Sequence, residues 1–80
     1  MKPNLLAQRV ASNVRAEMAR AGFSQSTLAR RMGRTQQYLS RRVAGHVPFD
    51  VADLADIANY LNTPVESLFQ AAPTVAASKK

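Results

Sequence analysis

Apolar residues fall into short helical stripes, separated by glycines and by residues suited to capping helices. Leu6, Val10, Val14 and Met18 recur every four positions, and Ala7, Ala11 and Ala21 widen the stripe. This spacing predicts an amphipathic helix that begins at Leu5. Pro3-Asn4 reads as its start signal, with Asn4 capping the first amides. Gly22 ends it in a left-handed conformation that other residues avoid. Ser24 caps a second helix that runs to about residue 32, with Leu28, Ala29 and Met32 as its apolar positions and Gly33 as its stop. Thr35 caps a third, from 36 to about 44, with Tyr38, Leu39 and Val43 apolar and Gly45 beyond its end.

His46-Val47-Pro48-Phe49 reads as a connector, because proline disfavours helix in the residue before it. Asp50 caps a fourth helix to about residue 61, with Val51, Leu54, Ile57, Ala58 and Leu61 as its apolar face, and Asp53 sits favourably in its first turn. In Thr63-Pro64-Val65-Glu66, Thr63 is read as a cap, Pro64 as the first helical residue, and Glu66 as closing a capping box. Leu68 and Phe69 then anchor a short fifth helix. Residues 71–80 carry a proline and no period, and read as a disordered tail. There are no repeats and no alternating run long enough for a sheet. The expected fold is all-α, with five short helices in one domain over residues 1–70. The expected core is Val14, Met18, Leu28, Ala29, Leu39, Val43, Leu54, Ile57, Leu61 and Leu68.

Eighty residues without a cysteine leave no disulfide or thiolate metal site to hold so small a domain, so packing must do it. No apolar run reaches about 18 residues, and the N-terminus lacks the apolar block of a signal peptide. A cytoplasmic protein with no membrane association is expected. The net charge is +6, and its distribution says more than its size. Up to His46 the bases are Lys2, Arg9, Arg15, Arg20, Arg30, Arg31, Arg34, Arg41 and Arg42, against the single acid Glu17. From Val47 to Phe69 there is no base, and the acids are Asp50, Asp53, Asp56 and Glu66. Such polarity suits a protein that turns one face to a polyanion.

Enzyme readings fail on inventory. His46 is the single histidine, and the usual metal clusters and Cys-His pairs cannot be assembled. His46 reads as a surface or phosphate-neighbouring residue. Asp50, Asp53 and Asp56 lack the glycine-turned oxygen loop of a cation site and read as a solvated face. No metal, cofactor or small-molecule ligand is expected.

The chemistry lies between residues 24 and 46. Two short helices are joined by a tight glycine turn, and the second opens with polar residues. Ala29, four before Gly33, is the small residue that two steeply crossing helices need where their backbones approach. An α-helix fits the major groove, and its first residues reach the base edges.

The run Ser24-Gln25-Ser26-Thr27-Leu28-Ala29-Arg30-Arg31-Met32-Gly33-Arg34-Thr35-Gln36-Gln37-Tyr38-Leu39-Ser40-Arg41 resembles the helix-turn-helix of the lambdoid phage repressor and Cro (XRE-type) family. The likeness extends over about residues 10–69 and includes the Pro48 to Ala58 and Pro64 to Phe69 patterns. It implies a lambda-repressor-like DNA-binding domain. By resemblance, Gln36, Gln37, Arg41 and Ser40 would meet bases. Gln25, Thr35, Arg34, Arg42 and Arg31 would meet phosphates. A glutamine amide both donates to and accepts from adenine, and arginine suits the guanine edge. Tyr38 reads as a packing residue with its hydroxyl near the backbone.

Two positions depart from the family. Met18 and Val43 stand where many relatives pair an arginine with a glutamate, and here they are expected to pack together. Arg42 stands where relatives usually carry an aliphatic core residue, which implies a small offset of the third helix. The resemblance implies a transcriptional regulator, of phage Cro-like or immunity type for want of room for a sensing domain. It would bind a double-stranded DNA operator as a homodimer through Val65, Leu68 and Phe69, unless the core claims those residues. The alternative is an antitoxin or antirepressor that uses the same fold to mask a protein partner. RNA binding is weaker, because the aromatics are needed for packing.

Overall fold

The computed structural model describes residues 5–71. In chain order they form α1 (Leu5–Ala21), α2 (Gln25–Met32), α3 (Gln36–Val43), α4 (Val51–Tyr60) and a 3-10 turn (Val65–Phe69). Among the described residues there is no strand. The Asn4 cap and residues 72–80 of the expected tail lie outside the described residues.

Local chemistry sets the element ends. The side chains of Ser24, Thr35 and Asp50 accept the amides of Thr27, Tyr38 and Asp53, so each satisfies a first-turn donor of its helix. Gly33 closes α2 at φ +70°, and the Arg34 amide returns to the Ala29 carbonyl at 2.9 Å. That closure fixes the turn between α2 and α3.

One core collects Val10, Val14, Met18, Leu28, Ala29, Leu39, Val43, Leu54, Ile57, Ala58, Leu61 and Leu68, with Phe23, Met32, Phe49 and Tyr60 packed at its margin. All ten expected core residues are buried. Met18 and Val43 belong to the same cluster. α1 packs on α3 and on the 3-10 turn, and α2 packs on α3 and α4. Asn13 of α1 donates to the carbonyls of Leu68 at 2.8 Å and Gln70 at 2.7 Å, which fastens the last described turn to the first helix.

The ends of the stripes differ from expectation. A four-residue spacing drifts about 40° per step on an α-helix. Leu6, at the end of its series, is therefore turned outward and is 52% exposed. Val51 lies about a quarter turn from the centre of the α4 stripe and is 82% exposed. The fifth element is a 3-10 turn and not an α-helix. Asn62 adopts φ 56°, and the Thr63 amide bonds the Ala58 carbonyl to close α4. Pro64 stays extended and itself takes the cap position, with no side-chain cap bond. Thr63 is thus one residue too early to cap, and the capping box does not form. Leu68 is fully buried, whereas Phe69 is 40% exposed and does not anchor the turn as expected.

A methyl group at Gly33 would meet nothing within 4 Å, so substitution there costs backbone strain alone. Gly33→Ala is expected to destabilise the domain by about 1–2 kcal/mol. A thermal melt followed by circular dichroism should show a midpoint about 4–16 °C lower. An unchanged midpoint would mean that the turn relaxes at no cost.

Candidate nucleic-acid interface

α3 lies across α2 with its first turn free of the core. Gln36, Gln37 and Arg41 are exposed, and Ser40 is half-buried beside them. Leu39 and Val43 point the other way, into the core. Thr35, Gln37, Arg41 and Arg42 line one open concavity of about 410 Å³, together with Tyr38 and Val47. Gln36, Ser40 and Gln25 are not part of its wall. Gln25 is half-buried at the first position of α2. Ser24 and Thr35 satisfy only the third amide of their helices, so the earlier amides of α2 and α3 face outward as donors, at the positive end of each helix dipole.

The arginines divide by what already holds them. Arg31 is exposed, with its guanidinium 5.6 Å from the centre of the Phe23 ring. Arg42 lies over the Tyr38 ring at 3.6 Å and donates to the Tyr38 carbonyl at 3.1 Å, while its buried Nε has no partner. It therefore keeps an aliphatic neighbour's place through its stem and ring stacking. Arg34 lies over the same ring at 4.5 Å and reaches Asp53 at 3.4 Å.

Asp53 overturns one expectation. Asp50 and Asp56 are exposed, but Asp53 is 1% exposed and is not part of a solvated face. Steps of three residues rotate about 60° around a helix, so the three acids cannot share one environment. Asp53 falls at the edge of the buried stripe of α4, next to Ile57 around the helix. Its carboxylate is satisfied there by the Tyr38 hydroxyl at 2.5 Å and by Arg34. The Tyr38 hydroxyl thus goes to a side chain, not to the backbone. Accepting that proton in a bond holds it on the phenol, so the Tyr38 pKa is raised from 10.0. Burial and the Asp53 charge push the same way, while Arg42 and Arg34 oppose.

α1 supports α3 from behind. Arg15 Nη1 donates to the Val43 carbonyl at 2.6 Å, and Gln8 Nε2 donates to the Gly45 carbonyl at 2.7 Å. A cation at a helix C-terminus meets the negative end of its dipole. The absence of a side chain at Gly45 is what lets Gln8 approach, since a Cβ there would lie 2.9 Å from its Oε1. Arg15, Gln8 and Asp53 were not singled out by sequence as parts of this site.

The model of the helix-turn-helix family matches residues 14–68. The chain belongs to the helix-turn-helix family. This helix-turn-helix protein has the lambda-repressor-like fold, and its family is one of double-stranded DNA-binding domains. Its fold is similar to that of a hypothetical transcription factor from Neisseria, at 24% identity and TM-score 0.76, over 82% of this chain and 76% of that one. It is also similar to the SOS-response transcriptional repressor LexA from Eubacterium rectale, at 17% identity and TM-score 0.80, over 89% and 76%. The restriction-modification controller protein C.AhdI from Aeromonas hydrophila aligns at 23% identity and TM-score 0.70, over 76% and 92%. At these identities the likeness is one of fold. The sequence matches no curated protein. Among the described residues, no group of His, Asp or Glu could hold a metal ion, and no helix is long and apolar enough to cross a membrane.

Tyr38→Phe removes the hydroxyl that satisfies a buried carboxylate and is expected to cost about 1–3 kcal/mol in urea unfolding at neutral pH. Because the folded-state pKa of Tyr38 is raised, its contribution is complete below about pH 10 and is lost as pH rises through the raised value. The difference between tyrosinate titrations of the native and variant proteins isolates Tyr38. A midpoint at or below 10 would contradict the bond.

Proposed function

We propose that this helix-turn-helix protein is a sequence-specific repressor that binds operator DNA as a homodimer. The exposed side chains of Gln36 and Gln37 at the start of α3, with Arg41 one turn on from Gln37, carry this reading. With α3 in the major groove, Gln36 and Gln37 read adenine edges and Arg41 reads a guanine, each bidentate contact giving about 1–3 kcal/mol of discrimination. Ser40 stands beside them for a base edge or a thymine methyl. Gln25, Thr35, Arg31 and Arg42, with the outward amides of α2 and α3, bind phosphates and set the register. The basic half faces DNA and the acidic half faces away.

Paired sites about one DNA turn apart would be met by a two-fold dimer. Leu68 is committed to the core, so Val65 and Phe69, both exposed, are the residues left at that surface for a second copy. Bound at a promoter, the dimer excludes polymerase, in the manner of a Cro-like or immunity-type repressor. That finer reading rests on the resemblance of residues 24–41. A second reading has one observation in its favour. Val51, Val65 and Phe69 are exposed apolar residues on the acidic half, as an antitoxin or antirepressor that masks a protein partner would need.

Selection from random duplex DNA followed by sequencing tests the proposal. An enriched palindrome is expected, with preference relaxed at particular base pairs in Gln36→Ala and Arg41→Ala. Salt-sensitive binding with no enriched motif would remove the repressor reading and favour the protein partner.

A further inference from the structure

Asp53 is an unexpected residue to find beneath a DNA-binding face. Its charge repels phosphate, and an apolar side chain at that place on α4 would avoid the desolvation cost. Its bonds account for it. One carboxylate accepts the Tyr38 hydroxyl of α3 and takes Arg34 Nη2 of the α2–α3 turn at 3.4 Å. α3 packs mainly against α1 and α2, and this side chain ties it by a hydrogen bond to α4. Arg34 is 43% exposed at its side chain, open to solvent on one side and held by Asp53 and the Tyr38 ring on the other. Attraction to a buried carboxylate is screened far less by salt than attraction to a hydrated phosphate.

We propose that Asp53 is a specificity-determining positioning residue, which fixes the recognition helix through Tyr38 and withholds Arg34 from the DNA backbone. The proposal rests on the DNA-binding reading. A cation that reaches a phosphate strengthens binding to every sequence alike. Withholding one lowers non-specific affinity, while a fixed helix keeps the base contacts aligned. Both effects widen the gap between operator and bulk DNA.

The test uses the full chain with Asp53→Asn, Arg34→Gln and the double variant, each shown to be helical at the assay temperature. Binding to random duplex is measured across a salt series, and to the selected site at one salt. Arg34→Gln should leave the salt slope on random duplex unchanged. Asp53→Asn should steepen it by about 0.9, one released counterion, and the double variant should restore it. Asp53→Asn and Tyr38→Phe should each lower the ratio of specific to non-specific affinity about tenfold, the scale of one base contact. A purely structural role would move the melting temperature and leave the slope alone. A slope shallower by about 0.9 in Arg34→Gln overturns the proposal, because Arg34 is then a phosphate ligand. An unchanged slope and ratio in Asp53→Asn overturn it too. If Asp53→Asn does not fold, Arg34→Gln decides the withholding and Tyr38→Phe the positioning. If the native protein prefers no sequence, the operator reading fails, and the slopes on random duplex still decide whether Arg34 is withheld.

Discussion

A carboxylate taken out of water must be given donors by the protein, or folding bears the full cost of its desolvation. Asp53 is in that position, and the elements around it are arranged to meet the demand. Tyr38 brings a hydroxyl from α3, and Arg34 brings a guanidinium from the turn that joins α2 to α3. The Tyr38 ring is in turn covered by Arg34 and Arg42. A cation over an aromatic face gains from the ring quadrupole, more so as water is excluded. The network is small, but it links three parts of the domain whose relative placement decides where the recognition helix points.

The far end of that helix is governed by different chemistry. The carbonyls of Ser40, Arg41 and Arg42 are met by the amides that follow the helix, and α1 meets the Val43 carbonyl through Arg15 and the Gly45 carbonyl beyond it through Gln8. Arg15 and Gln8 are seven apart, two turns of one helix face. Where many relatives join the first and third helices by an ion pair, Met18 and Val43 here are part of an apolar core. The polar link between these helices runs through the backbone, by Arg15 and Gln8. A side chain that binds a carbonyl needs no charged partner, so Met18 and Val43 stay apolar while the helix end remains held.

What could be read from sequence divides along physical lines. Caps and glycine stops are local, so Ser24, Thr35, Asp50 and Gly33 marked their helix ends correctly. The apolar stripe of each helix identified the core, because burial of Leu28, Leu39 or Ile57 follows from periodicity. Drift around the helix axis misled at the stripe ends, at Leu6 and Val51. The Thr63 box failed because an extended proline took the cap position, a conformation that residue types do not dictate. Among site residues, the polar outer side of α3 was visible as Gln36, Gln37 and Arg41. Asp53 was not, since its burial depends on Tyr38 and Arg34 arriving from other elements. An acid flanked by Leu54 on the inward side of a helix is the one sequence signal that could have pointed to it. Arg15 and Gln8 gave none, because their partners are backbone atoms 28 and 37 residues away.

Leu68 fills the core from the last described turn, and Asn13 of the first helix holds the backbone around it. The core that holds the helix-turn-helix is therefore closed by residues from opposite ends of the described chain. Contacts that join such distant residues close late, after loop entropy has been overcome. Until residue 68 is in place, α1 faces water with the stripe that should meet it. The short final turn is thus a plug for the core, and the part of the domain that reads DNA depends on a residue far from it in sequence.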